Sequence, residues 1–179
     1  MGNKRSRDLT KPKERGRPCS CDTFDVSVRC VDSSVLAVSL STDLPVNTKV
    51  AVRALRKFRE IDGHAWYWTC LDEAFPVTPQ ANGWNGFVLH WTNDDLDTKG
   101  LHMYRHLKGE MHLSDGMAAE PSSDLEVSVK APTTLHRFGL CNRLLTGKAV
   151  LLRPRGHSLQ RTAVVAVPTS RIVLKQLGF

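Results

Sequence analysis

Apolar residues recur at every second position in several stretches of this chain, and each stretch is short and ends in turn-forming residues. FDVSVRC at 24–30 puts Phe24, Val26, Val28 and Cys30 on one side, with Asp25, Ser27 and Arg29 on the other. A period of two is that of a strand with one buried face. DLEVSVK at 124–130 repeats the pattern, setting Leu125, Val127 and Val129 against Glu126, Ser128 and Lys130. TKVAVRALRKF alternates Val50, Val52 and Ala54 with Lys49, Ala51 and Arg53. A helix over 49–60, or one beginning after Ala54, is the rival reading there. VLAVSL at 35–40, WYWTCL at 66–71 and FVLHW at 87–91 add further strands. AVLLR at 149–153, TAVVAVP at 162–168 and RIVLKQL at 171–177 supply three more.

The breaks agree with this reading. Pro45 fixes φ and has no N–H to give a ladder, and Asn82-Gly83 and Asn85-Gly86 are strong turn signals. Helical segments are expected only over 96–108 and 135–146. Many short strands between Pro/Gly turns predict a mainly β fold. That means an antiparallel β-sandwich, Ig-like or fibronectin-like without the disulfide, or an open barrel, with one or two short helices and a flexible basic N-terminal arm. The disulfide-bearing signature is absent: Cys30 and Cys70 bracket Trp66 and Trp68, but both Trp lie beside the second Cys. Trp68 also stands where that signature carries Tyr. The expected organisation is a disordered basic arm over 1–22 and a β-sandwich domain over 23–131. C-terminal strands over 132–179 pack on the same domain.

Charge singles out the arm. The chain has 25 Lys and Arg against 18 Asp and Glu, a net charge of +7 over 179 residues. Lys4, Arg5, Arg7, Lys11, Lys13, Arg15 and Arg17 face only Asp8 and Glu14 in the first seventeen residues. The remaining 162 residues hold 18 basic and 16 acidic groups, so the body is nearly neutral in total. A flexible basic arm suits a polyanion, with nucleic acid the first candidate, because Lys and Arg can follow phosphates and release counterions without fixed structure. It carries no aromatic residue to stack on bases. Arg153, Arg155 and Arg161, with His157, gather around a second basic loop and are expected to share that face.

Other partners are open. Gly2 and Ser6 in MGNKRS fit the N-myristoylation pattern. A membrane surface would be the partner only if Gly2 is acylated, the polybasic stretch then acting as the second anchor. Tyr67 and Trp84 are candidate surface aromatics for a protein partner, whereas Trp66, Trp68 and Trp91 are expected in the core. A plain solvated tail on an assembly subunit is the third reading.

Signs of chemistry are weak. His102 and His106 are spaced i, i+4 with Glu110 and His112 nearby, but Met103 stands where HExxH needs Glu. Cys19 and Cys21 are half a zinc site with no second pair close by. Cys70 and Cys141 lie in apolar surroundings, which disfavours the thiolate. Asp94, Asp95 and Asp97, and the pair Asp72-Glu73, would need a cleft to act as acid and base. There is no phosphate-binding glycine loop and no nucleophile elbow. No enzyme, cofactor or metal is expected. Five Cys at uneven spacing, without an apolar leader at the N-terminus, point to an intracellular, non-secreted protein. The functional expectation is a non-enzymatic interaction module whose basic arm contacts a polyanion.

Overall fold

Every clear alternating stretch becomes a strand whose apolar side is buried or half-buried. The computed structural model describes residues 16–32, 34–59, 63, 65–111, 121–131 and 137–178. In chain order these form β1 (Cys19–Ser20), β2 (Phe24–Cys30), β3 (Val35–Thr42), β4 (Lys49–Arg59), β5 (Ala65–Pro76), β6 (Thr78–Pro79) and β7 (Asn85–Thr92). Then come α1 (Asn93–Glu110), β8 (Asp124–Lys130), β9 (Leu145–Thr146), β10 (Gln160–Ala166) and α2 (Arg171–Leu177). The molecule is mainly β, and its antiparallel sheets do not close into a barrel.

One four-stranded sheet has the order β10-β8-β4-β5 and the other β2-β3-β7-β6. Ala163 stands opposite Val127, and Val127 opposite Ala54, so the inward row of β8 meets inward rows on both sides. A slip of one residue would put Glu126 and Ser128 in the core and Leu125, Val127 and Val129 in water, which fixes the register. Inward residues of the two sheets belong to one apolar cluster that includes Phe24, Val38, Leu40, Val52, Trp68 and Phe87. At one side the two sheets meet where Cys30 Sγ donates to the Ala166 carbonyl, 3.3 Å away.

The other side is covered by α1. Thr92 caps it, its hydroxyl oxygen accepting from the Asp95 N–H at 3.2 Å, and Asp94 and Asp95 favour the positive end of its dipole. Gly100 lets the helix lie close on β5: a Cβ there would be 3.0 Å from the Trp68 Cβ and 3.1 Å from the Cys70 Sγ. Tyr104 then packs edge-on against Phe58, with ring centres 4.9 Å apart. Trp68 is wholly buried, the core role expected for it, while Trp66 and Trp91, expected there too, are only partly buried and pack against the cluster.

Four local expectations are corrected. RIVLKQL is the helix α2 and not a strand. Ser170 accepts from the N–H groups of Ile172 and Val173, and Gly178 ends the helix at φ +89°, so its caps outweigh its β-branched residues. The helix expected over 135–146 is, within its described part, a single turn at Leu140–Asn142. Cys141 and Asn142 at φ +53° and +58° leave the helical region. AVLLR forms no strand and contributes one isolated bridge, Leu151 to Ser158. Asn85-Gly86 lies inside β7 rather than in a turn. Glycine is required there because a Cβ would fall 1.8 Å from the Leu40 carbonyl oxygen.

Candidate polyanion interface

The root of the arm is part of the body. Gly16 bridges Phe138, and the Arg17 N–H donates to the Arg137 carbonyl at 3.0 Å. Cys19 and Ser20 then pair in parallel with Leu145 and Thr146. Cys21 is fully buried, donates its N–H to the Thr146 carbonyl at 2.6 Å and accepts at its own carbonyl from Ala149 at 3.1 Å. Residues 16–22, expected within the disordered arm, are instead held by this ladder and by the burial of Cys21. Gly2, Lys4, Arg5, Arg7, Lys11, Lys13 and Arg15 lie outside the described residues.

What β1 is tied to matters for charge. From residue 127 to the end there are nine Lys and Arg and no Asp or Glu, whereas 18–126 holds nine basic and sixteen acidic residues. The near-neutral body is thus two segments of opposite sign, −7 and +9. The arm is rooted on the positive one. Arg137, Arg143 and Lys148 on this segment had no periodic or motif signal. The run without acids was the signal that could have found them.

Two clefts flank the β1–β9 pair. The first, about 560 Å³, is lined by Gly16, Arg17, Pro18, Cys19, Pro45, Arg137 and Phe138. The second, about 480 Å³, is lined by Lys148, Ala149, Val150, Leu151, Arg153, Ser158, Gln160, Arg161 and Thr162. Arg17 precedes β1 and Lys148 follows β9, at opposite ends of this short parallel pair. Of the loop cations singled out from sequence, Arg153 and Arg161 come together at the second cleft. Arg155 is exposed on the turn beyond and does not line it. Arg17, Arg137, Arg143, Lys148, Arg153, Arg155 and Arg161 are all exposed, and none forms an ion pair with a described carboxylate. They are available to an external anion.

The loop that carries these cations is held by backbone. Leu151 and Ser158 exchange both hydrogen bonds, at 2.8 and 2.9 Å. The His157 N–H donates to the Cys141 carbonyl at 3.0 Å, and His157 Nδ1 donates to the Leu145 carbonyl at 2.6 Å. Gly156 sits at φ +147°, where a Cβ would fall 2.5 Å from the Cys141 carbonyl oxygen.

The remaining sequence candidates are dispersed. Tyr67 is about half exposed on the outer face of the first sheet, opposite Lys57. Trp84 is similarly exposed in the turn before β7, where its N–H donates to Asn82 Oδ1 at 3.1 Å. Nine residues of β5, roughly 30 Å, separate Tyr67 from Pro76, from which the chain leads on to the Trp84 turn. They do not make one patch. His102 is exposed, and His106 Nε2 meets Glu110 at 3.3 Å on the outside of α1. His112 lies outside the described residues, and among the described ones no three His, Cys, Asp or Glu converge as metal ligands would.

The acid candidates are engaged in the fold. Asp72 and Glu73 pair with Arg53 and Lys99 at the surface, and Asp97 is buried against Arg56. Burial pushes the thiols of Cys21 and Cys70 up to about 12, and that of Cys19 upward too. These groups are held as thiols at neutral pH, a poor state for attacking carbon or binding zinc. All five Cys are free, and no helix among the described residues is long and apolar enough to cross a membrane.

No protein-family model matches the chain, and no curated protein matches it. Among solved structures, the solution structure of AT1g01470 from Arabidopsis thaliana aligns with 93% of this chain and 94% of its own. The identity is 9% and the TM-score 0.27, too distant to inform on fold or function.

Proposed function

We propose that this chain is a non-enzymatic binding module, a β-sandwich of the disulfide-free Ig-like or fibronectin-like kind, whose basic pole and arm contact a polyanion, nucleic acid first. The sandwich reading is supported by two antiparallel sheets that contribute inward rows to one core. The functional reading is carried by one observation: the basic arm is rooted, through β1, between two clefts lined by unpaired exposed cations. The basic stretch that ends at Arg17 thus joins the body beside Arg137, within the acid-free segment that also carries Lys148, Arg153 and Arg161. Affinity on such a surface comes from counterion release and is steeply dependent on salt.

The test is retention of single-stranded and duplex nucleic acid between about 50 and 200 mM salt. The full chain is compared with chains lacking residues 1–15, or carrying Arg137→Gln, Lys148→Gln and Arg153→Gln. Each alteration is expected to flatten the dependence of log affinity on log salt, and the two together to abolish retention. Failure of the full chain to bind either nucleic acid at 50 mM salt would sink the proposal.

A membrane surface is favoured by a different observation. Leu151 and Leu152 are 54% and 63% exposed between Lys148 and Arg153, an apolar prong in a basic setting. On this reading the protein is a tethered adaptor, and flotation with anionic but not neutral vesicles is the expected result. Failure of the chain, with Gly2 acylated, to float with anionic vesicles would eliminate it, and retained flotation in Leu151→Ser/Leu152→Ser would show that the prong is not the anchor.

A further inference from the structure

The cleft at Lys148, Arg153 and Arg161 has a composition that a diffuse positive field does not need. Its three cations come from three separate backbone supports. Lys148 follows β9, and its N–H is held by Asp22 Oδ1 at 2.8 Å. Arg153 lies in the loop closed by the Leu151–Ser158 bridge, and Arg161 lies on β10 in register with Val129. Neutral donors stand among them: Ser158, Gln160 and Thr162 line the same cleft. Gln160 Nε2 donates to Thr162 Oγ1 at 3.4 Å, which leaves the Thr162 hydroxyl proton to give elsewhere. One N–H of Arg161 is spent on the Gln160 carbonyl at 3.1 Å. No carboxylate lines the cleft.

An internal phosphodiester brings one negative charge and two free oxygens, and its chain must leave in both directions. A phosphate monoester brings nearly two charges and three free acceptor oxygens, and its chain leaves in one direction only. Three cations lining one concave site with hydroxyl and amide donors match the second more closely. We infer that this cleft binds a phosphate monoester, the terminal phosphate of a nucleic acid strand or the phosphate of a free nucleotide. The inference rests on the polyanion reading above and sharpens it from a charged surface to a site for one chemical group.

The test uses the full chain and one oligonucleotide sequence prepared with a terminal phosphate or with a terminal hydroxyl, at fixed salt. The phosphorylated form is expected to bind about tenfold more tightly, the gain from one or two charge-assisted hydrogen bonds. Arg161→Gln and Lys148→Gln, checked for native unfolding behaviour, are expected to bring that ratio to about one. A nucleoside monophosphate that removes the preference in competition, where inorganic phosphate does not, identifies the nucleotide as the unit bound. Competition by both identifies the phosphate group alone. Equal binding of the two oligonucleotides by the wild-type chain overturns the inference and leaves the polyanion reading standing. Binding of neither overturns both.

Discussion

Arg56 and Asp97, both with side chains wholly withdrawn from solvent, form an ion pair in which every N–H of the guanidinium is used. Nε and Nη2 of Arg56 donate to the two Asp97 oxygens at 2.8 and 3.3 Å. Nη2 also reaches Asn93 Oδ1, and Nη1 donates to the carbonyls of Ser122 and Val167. Asp97 accepts further from the Ser170 N–H at 2.7 Å, and Asn93 donates to the Pro168 carbonyl. The pair therefore joins β4, α1, the entry to β8 and the segment that leads into α2. Burial pushes the Asp97 carboxyl upward, while the Arg56 charge and the Ser170 N–H draw it back.

Removing one member of such a pair strands a buried charge, whereas replacing both with apolar groups of similar volume does not. Asp97→Asn or Arg56→Met is expected to lower unfolding free energy by about 3–5 kcal/mol. Arg56→Met combined with Asp97→Leu should cost clearly less than the two single losses added. Urea unfolding of the four proteins measures this cycle. Strictly additive losses would mean that the pair is not the unit joining these elements.

Gly147 and Gly83 both have positive φ, at +113° and +82°, but their surroundings differ. A Cβ at Gly83 meets nothing within 4 Å, while one at Gly147 would lie 2.3 Å from the Cys21 carbonyl oxygen. Gly83→Ala is expected to cost only the left-handed backbone penalty, about 1–2 kcal/mol. Gly147→Ala must also push β1 away from the turn after β9, so the loss should be larger and protease should cut near residues 16–22. Equal stability of the two variants would show that the arm root is not held at this turn.

How far the fold was legible from sequence follows from which forces are local. In β2 and β8 the register is written in the side chains, because each second residue must choose core or water. The Asn82-Gly83 turn is likewise decided within a few residues. In RIVLKQL the β-branched residues suggest a strand, while Ser170 and Gly178 at its borders, a weaker signal, impose a helix. The seat of β1 was not legible at all. Its pairing joins Cys19 to Leu145, a contact that no local pattern announces. The candidate site suffered from averaging: a near-neutral total for the body concealed the acid-free segment that carries Lys148, Arg153 and Arg161.

Burial raises the thiols of Cys21 and Cys70 to about 12. In the unfolded chain a cysteine ionises near 8.5, so the folded state holds these protons more tightly. Their contribution to stability is present in full below about 8.5, and it is lost as pH rises from there toward about 12. Native protein at pH 8 should therefore alkylate with iodoacetamide more slowly at Cys21 and Cys70 than at partly exposed Cys30 and Cys141, as read by peptide mass analysis. Between pH 7 and 10, urea unfolding should show a falling stability that Cys21→Ala and Cys70→Ala each reduce in slope. Rapid labelling of Cys21 in the folded protein would mean that the strand at the arm root opens readily, and the rooted positive surface would lose its anchor.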